Sequence, residues 1–226
     1  MTKHLHIVSF DVPYPADYGG VVDIFYKIKA LHETGVAVHL HCFEYGRGVQ
    51  DELKKYCAEV YYYERQKGHK GFSLQLPYIV ASRNDEQLWE RLNADEHPVL
   101  FEGVHCTYGL TSGAVEKKNI AIRLHNVEYE YYKQLGQWES SLVRKAYMHH
   151  ESRLLQRYEE RLKDYNILAI SEADLKTYKK QFKANSIVHL PAFIPNQMVR
   201  SKEGTGTFAL YHGNLSVAEN DKAATW

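Results

Sequence analysis

HLHIVSFDVPYPADYGGVVDIFYKIKALHETGVAVHLHCF, residues His4–Phe43, decides the fold. His4 to Phe10 is a short run rich in apolar and β-branched residues, which predicts a strand. From Gly20 to Thr34 the apolar residues Val21, Ile24, Phe25, Ile28 and Leu31 fall at helical spacing on one face, and Gly35 supplies a C-terminal stop. Val36 to Phe43 then reads as a second strand. Strand, helix and strand in one compact stretch form a βαβ unit, whose two strands must be parallel because the crossover returns the chain to its starting edge.

The same alternation continues outward. Further strands are expected at Glu59–Tyr63, Val99–Glu102, Ile120–His125, Ile167–Ser171 and Ile187–Leu190. Asn84 with Gln87, and Ser171 with Asp174, are spaced like capping boxes and predict helix starts. Leu175, Tyr178 and Phe182 give the second of these a buried face. Glu128–Tyr165 is a long helix-compatible segment with Val143, Tyr147, Leu154, Tyr158 and Leu162 at helical spacing, read as two helices hinged near Gly136. The fold class is therefore α/β, a Rossmann-like parallel sheet flanked by helices. Arg200–Gly206 reads as a linker, Phe208–His212 as a strand, GNLS as a tight turn, and Val217 onward as a helix. One strand and one helix cannot bury their own faces, so residues 1–204 are expected to form a complete domain and residues 205–226 a linker and the truncated start of a second.

Composition narrows the function classes. Lysine plus arginine and aspartate plus glutamate both number 28, so formal net charge is zero and no general field favours nucleic acid. Cys42, Cys57 and Cys106 lie far apart with no CxxC spacing, which argues against a zinc knuckle or disulfide framework and for a cytoplasmic chain. The N-terminus has no apolar run of signal-peptide or membrane-span length. Thirteen histidines include two HxH pairs, His4 with His6 and His39 with His41. Alternate strand residues share a face, but no third ligand is readable, so no metal is expected. In Ser141–Asp164 the basic residues interleave with glutamates, favouring a solvated face over a membrane-binding one.

In an open parallel sheet, ligands collect where loops splay apart at the carboxyl ends of the strands. The residues just after each strand are therefore the site candidates. Gly19 and Gly20 follow the first strand and open a helix, where close backbone approach and unsatisfied N–H groups suit a phosphate or sugar hydroxyl, although an ordinary glycine helix start has the same pattern. Glu102 and His105 follow the fourth strand. Arg123, His125, Asn126 and Glu128 end or follow the fifth. This mixture of donors and acceptors suits a polyhydroxylated ligand. Tyr129, Tyr131 and Tyr132 stand nearby, suited to sugar stacking or to helix packing.

Taken together, PADYGGVVDIFYKIKALHETG (Pro15–Gly35), LFEGVHCTYGL (Leu100–Leu110), IRLHNVEYEYYKQL (Ile122–Leu135), ILAISEADLKTY (Ile167–Tyr178) and LYHGNLSVAEN (Leu210–Asn220) resemble, in order and spacing, the N-terminal half of a GT-B glycosyltransferase of retaining family 4 (group 1). The resemblance implies a nucleotide-sugar donor held mainly by a C-terminal domain and a glycan or lipid-linked acceptor held mainly by this one. It implies that Gly19 and Gly20 face the donor phosphates and the acceptor, that His125 approaches the transferred sugar with Asn126 and Glu128 beside it, and that Gly213 and Asn214 form the first turn of the donor domain. His125 and Glu102 are the candidate catalytic residues, and His105 and Arg123 join the substrate-binding set. The nucleotide sugar is a substrate, so no cofactor is expected. The acidic pair and basic residues that the family places later are absent here, which implies an inactive fragment of a transferase of polysaccharide biosynthesis. Peripheral contact with the inner membrane face and self-association through the Phe208–His212 strand are the further expected contacts. Two rival readings are a sugar-nucleotide epimerase of the same architecture, with Glu102 and a histidine as acid and base, and a non-catalytic glycan-binding module.

Overall fold

The computed structural model describes residues 2–116, 119–196, 198, 203–208, 210, 211 and 218–225. In chain order the elements are β1 (Lys3–Ser9), α1 (Gly19–Glu33), β2 (Val36–Glu44), β3 (Glu59–Glu64), α2 (Tyr78–Ala81), α3 (Glu86–Asn93), β4 (Val99–Glu102), α4 (Tyr108–Ser112), β5 (Ile120–Leu124), α5 (Glu128–Trp138), α6 (Leu142–Glu160), β6 (Asn166–Ala169), α7 (Glu172–Thr177), β7 (Ser186–His189) and α8 (Ala218–Thr225). The seven strands form one sheet in the order β3-β2-β1-β4-β5-β6-β7. Every neighbouring pair is parallel. This is the α/β Rossmann-like sheet that the alternating pattern predicts, and each expected strand of residues 1–204 is present.

Strand order reverses between β1 and β4, so the connections leaving those two strands run to opposite sides and leave a crevice at their carboxyl ends. Around the reversal the core is closed: Ile7, Val8, Val38, Leu40, Phe101 and Ile122 are fully buried. Helix α1 presents Val21, Ile24, Phe25 and Ile28 to this core. It ends where Gly35 takes a left-handed φ of 79°, a conformation open to glycine without a Cβ penalty.

Several local readings need correction. The side chain that caps α3 is Asp85, which accepts from the Leu88 N–H at 3.2 Å, while Asn84 turns away to accept from the Trp89 indole at 3.0 Å. Ser171 does cap α7, accepting from Asp174 N–H at 3.1 Å. The break between α5 and α6 falls at Glu139–Ser141 rather than at Gly136. Gly136 lies inside α5, where a Cβ would stand 3.2 Å from that of Met148, so its smallness lets α6 approach. The apolar stripe of α6 is buried from Leu154 on, but Val143 at its start is 81% exposed. Phe208, Leu210 and Tyr211 are exposed and lie in no strand, and the rest of the expected Phe208–His212 strand lies outside the described residues.

The start of α1 sets a steric condition on the crevice. A Cβ on Gly20 would lie 2.6 Å from the Phe10 ring, whereas one on Gly19 would meet nothing within 4 Å. Gly20→Ala is expected to destabilise by about 1–3 kcal/mol as the ring is forced aside, and Gly19→Ala to change stability by less than about 1 kcal/mol. Urea unfolding of the two variants checks this; equal effects would refute the Phe10 contact.

Candidate functional site

Phe10 ends the first strand region and its ring forms the floor of the crevice. It packs edge-on against His125 at 5.2 Å and tilted against His105 at 5.1 Å between centroids. Its backbone carbonyl is gripped by Arg83, which is fully buried and donates to Phe10 O at 3.1 and 3.0 Å and to Ile79 O at 2.7 Å. Asp11 follows. Its carboxylate accepts from Val12 N–H at 2.8 Å and from the Tyr18 hydroxyl at 2.7 Å, which fixes the loop that delivers Gly19 and Gly20.

The resulting cleft has a volume of about 630 Å³. Of the predicted residues, Gly19, Gly20, His105, His125, Asn126 and Glu128 line it. Tyr18, Val22 and Asp23 around the start of α1, Tyr131, and Ile170, Ala192, Phe193 and Ile194 from the carboxyl side of the sheet add to the wall. Glu102 and Arg123 do not line it. Both are wholly buried beneath it, Cα partners on β4 and β5. Gly213 and Asn214 lie outside the described residues.

Beneath the cleft, and reaching its lining at Asp23, runs a network of four charges, of which the sequence reading named Glu102 and Arg123 but not Asp23 and Lys27. Arg123 donates to the two oxygens of Asp23 at 3.2 and 3.0 Å. Lys27 bridges Asp23 at 3.0 Å and Glu102 at 2.7 Å. Glu102 in turn accepts from His125 Nε2 at 2.9 Å. Asp23 also accepts the Phe193 N–H at 2.8 Å, and Arg123 donates to the carbonyls of Leu190 and Pro191. Burial would raise both carboxyls, but Lys27 and Arg123 outweigh it at Asp23, and Lys27 and His125 at Glu102, so each is held below its usual range. The available sequence signal was Asp23 and Lys27, opposite charges four residues apart beside the buried stripe of α1.

Asp23, Glu102 and His125 are close enough together to hold a cation, but the Lys27 ammonium already sits on both carboxylates, so a lysine fills that role. Because Glu102 is ionised, His125 Nε2 carries the proton and donates it. In the neutral ring Nδ1 is then an acceptor, and among the described residues it has no protein partner. His105 is held neutral, its affinity for a proton lowered by burial and by the Arg83 charge, and its buried Nδ1 has no partner among the described residues.

The Glu128 carboxyl, at 3% exposure, is pushed up to about 7 by burial, against the Asn126 hydrogen bond and the charge of Arg83. Behind it, buried Glu159 caps α5, accepting from Glu128 N–H at 3.0 Å, Tyr129 N–H at 3.1 Å and the Tyr178 hydroxyl at 2.7 Å. Burial raises it to about 8. The cleft thus holds a carboxyl poised near neutrality beside an imidazole fixed in one tautomer. Cys42, Cys57 and Cys106 are free thiols, and burial raises all three, Cys57 to about 12, which leaves them unreactive.

No family model matches the chain. It is similar to an uncharacterized 44.6 kDa protein in the cps region of Klebsiella pneumoniae, with 30% identity over 234 residues covering 97% of this chain and 58% of that protein. The chain therefore spans 58% of the length of the curated relative it matches. Among the described residues no helix is long and apolar enough to cross a membrane.

Two outcomes test the electrostatics. Arg123→Met leaves Asp23 short of its main partner and is expected to cost about 3 kcal/mol of stability, read by denaturant unfolding; a loss under about 1 kcal/mol would show the pair to be dispensable. Glu128 binds its proton more tightly folded than unfolded, so its contribution turns unfavourable as pH rises above about 4.3 and is complete past about 7, an upper bound of about 4 kcal/mol. Glu128→Gln should therefore gain stability on wild type between pH 5 and pH 8. An unchanged difference across that range would mean that Glu128 titrates normally.

Proposed function

We propose that this chain is the acceptor-side half of a nucleotide-sugar-dependent glycosyltransferase of polysaccharide biosynthesis, with the β1/β4 crevice as its half of the active site. The observation that carries the reading is His125 in the cleft wall, held from beneath by Glu102, in a cleft that the glycine start of α1 also lines. Similarity to a protein of a cps region, a capsule locus, supports the polysaccharide setting, and the ordered sequence words support the transferase class.

The roles follow from the chemistry of each group. No side chain caps α1, its first turn carries no acidic residue, and the N–H groups of Gly19 and Gly20 have no backbone acceptor among the described residues. These donors, at the positive end of a 15-residue helix, suit the negative charge that grows on a departing nucleoside diphosphate. In the transfer, the bond from the anomeric carbon to the diphosphate oxygen breaks, a bond to the acceptor hydroxyl oxygen forms, and the hydroxyl proton passes to the diphosphate. In the neutral ring His125 Nδ1 accepts a hydrogen bond from a hydroxyl of the transferred sugar, and Glu102, by accepting the Nε2 proton, selects the tautomer that leaves Nδ1 as the acceptor. Glu128 and Asn126 offer further polar partners, and Tyr131 an aromatic surface for a sugar ring.

The test is transfer by the full-length protein that carries this chain, given a panel of nucleotide sugars and a glycan and lipid extract, with products followed by mass spectrometry. A glycosylated acceptor with released nucleoside diphosphate is expected. An epimerised nucleotide sugar formed without acceptor would replace this reading by the epimerase one, and glycan binding without turnover would replace it by a binding module. His125→Ala should lower turnover by about 10²-fold or more, a far larger effect than the stability lost with one of the donors to Glu102; parallel collapse of both would make His125 structural.

A further inference from the structure

At the other end of β1 from the cleft, the two HxH pairs meet. Six residues separate His4 from Phe10, roughly 20 Å of extended strand, so what happens here is remote from the crevice. In the register of β1 and β2, His6 lies beside His39, and the four rings interleave into two rungs. The inner rung is closed by other side chains: His6 Nδ1 meets His41 Nε2 at 2.9 Å, His41 Nδ1 meets the Tyr63 hydroxyl at 2.9 Å, and His6 Nε2 meets Asp95 at 3.0 Å.

The outer rung is different. His4 Nδ1 lies 2.9 Å from His39 Nε2, and His39 Nδ1 lies 2.6 Å from Glu59 Oε2. His97, on the loop before β4, stacks on His4 with 4.5 Å between centroids and 9° between planes. Neither of its nitrogens has a hydrogen-bond partner among the described residues; the nearest carboxylate oxygen, on Asp95, is 3.9 Å from its Nε2. One nitrogen each from His4, His39 and His97 lie within 4.8 Å of one another.

We infer that His4, His39 and His97 form a binding site for a late first-row divalent cation, zinc in the first instance. Three imidazoles are a borderline-soft donor set that suits zinc, cobalt or nickel and not magnesium or calcium. The outer carboxylate is in place as well. Glu59 accepts the Nδ1–H of His39 and so fixes Nε2 as the lone-pair nitrogen, the arrangement in which a carboxylate orients a metal-bound histidine. On binding, the proton of His4 moves from Nδ1 to Nε2, and the hydrogen bond between the rings is exchanged for two metal–nitrogen bonds. His97 turns its ring edge toward the pair at the cost of its stacking on His4 and His39. The His39 and His97 side chains are 14% and 37% exposed, so solvent reaches the site and can fill a fourth position. The ion would tie together the starts of β1 and β2 and the approach to β4.

Titration calorimetry with zinc chloride on the intact chain, and the visible spectrum with cobalt(II), test this. One equivalent of zinc is expected, with a tetrahedral cobalt band and a melting midpoint that rises with zinc concentration. His97→Ala, a loop change that spares the sheet, and His4→Ala should each weaken binding by more than the roughly 10–100-fold expected of Glu59→Gln. His69→Ala, a surface histidine elsewhere, should leave it unchanged. No saturable zinc binding, or binding that survives both His97→Ala and His4→Ala, would overturn the site.

Discussion

The buried set Asp23, Lys27, Glu102 and Arg123 is the interaction on which the functional end of this molecule depends. Four charges removed from water incur a desolvation cost that mutual attraction offsets only when the geometry is good and the remaining valences are filled. Here two positive and two negative groups balance, each carboxylate has at least two donors, and the arginine spends what remains on the backbone carbonyls of Leu190 and Pro191. The ends of α1, β4, β5 and the chain after β7 are thereby held to one another by charge as well as by the apolar core.

That balance is what gives His125 its chemistry. With Lys27 opposite, Glu102 stays ionised even though it is fully buried, and an ionised Glu102 dictates which nitrogen of His125 holds the proton. On the cleft side the floor is apolar, the Phe10 ring, held from below by Arg83. The design separates a charged layer that orients His125 from an apolar layer that shapes the cavity, and at the glycine start of α1 backbone reaches the cleft surface.

How much of this was legible in sequence follows from the range of the signals. The strands were plain because parallel strands buried on both faces are written as continuous apolar runs, and α1 was plain because its stripe is amphipathic. That His125, Asn126 and Glu128 share a cleft with Gly19 followed from position alone, since all stand just past a strand. Glu102 and Arg123 occupy similar positions yet face down, because which side a strand-end residue takes depends on register and on which helix lies beneath. Asp23 and Lys27 became meaningful only once α1 was placed over that face. His97 was invisible for a related reason: it joins His4 and His39 through the order of strands in space, which brings β4 beside β1 across ninety-odd residues of chain. Asn84 and Asp85 are both good caps, and only the competing claim of the Trp89 indole on Asn84 decides between them.

The strap over the charge network has a mechanical consequence. The chain leaving β7 is pinned at Leu190, Pro191 and Phe193 to side chains rooted in α1 and β5. Rotation of later residues about the sheet therefore cannot pivot at the end of β7 itself; the fulcrum lies beyond Phe193. Since Phe193 and Ile194 are also cleft wall, the anchored segment ties one rim of the cavity to the Asp23 carboxylate.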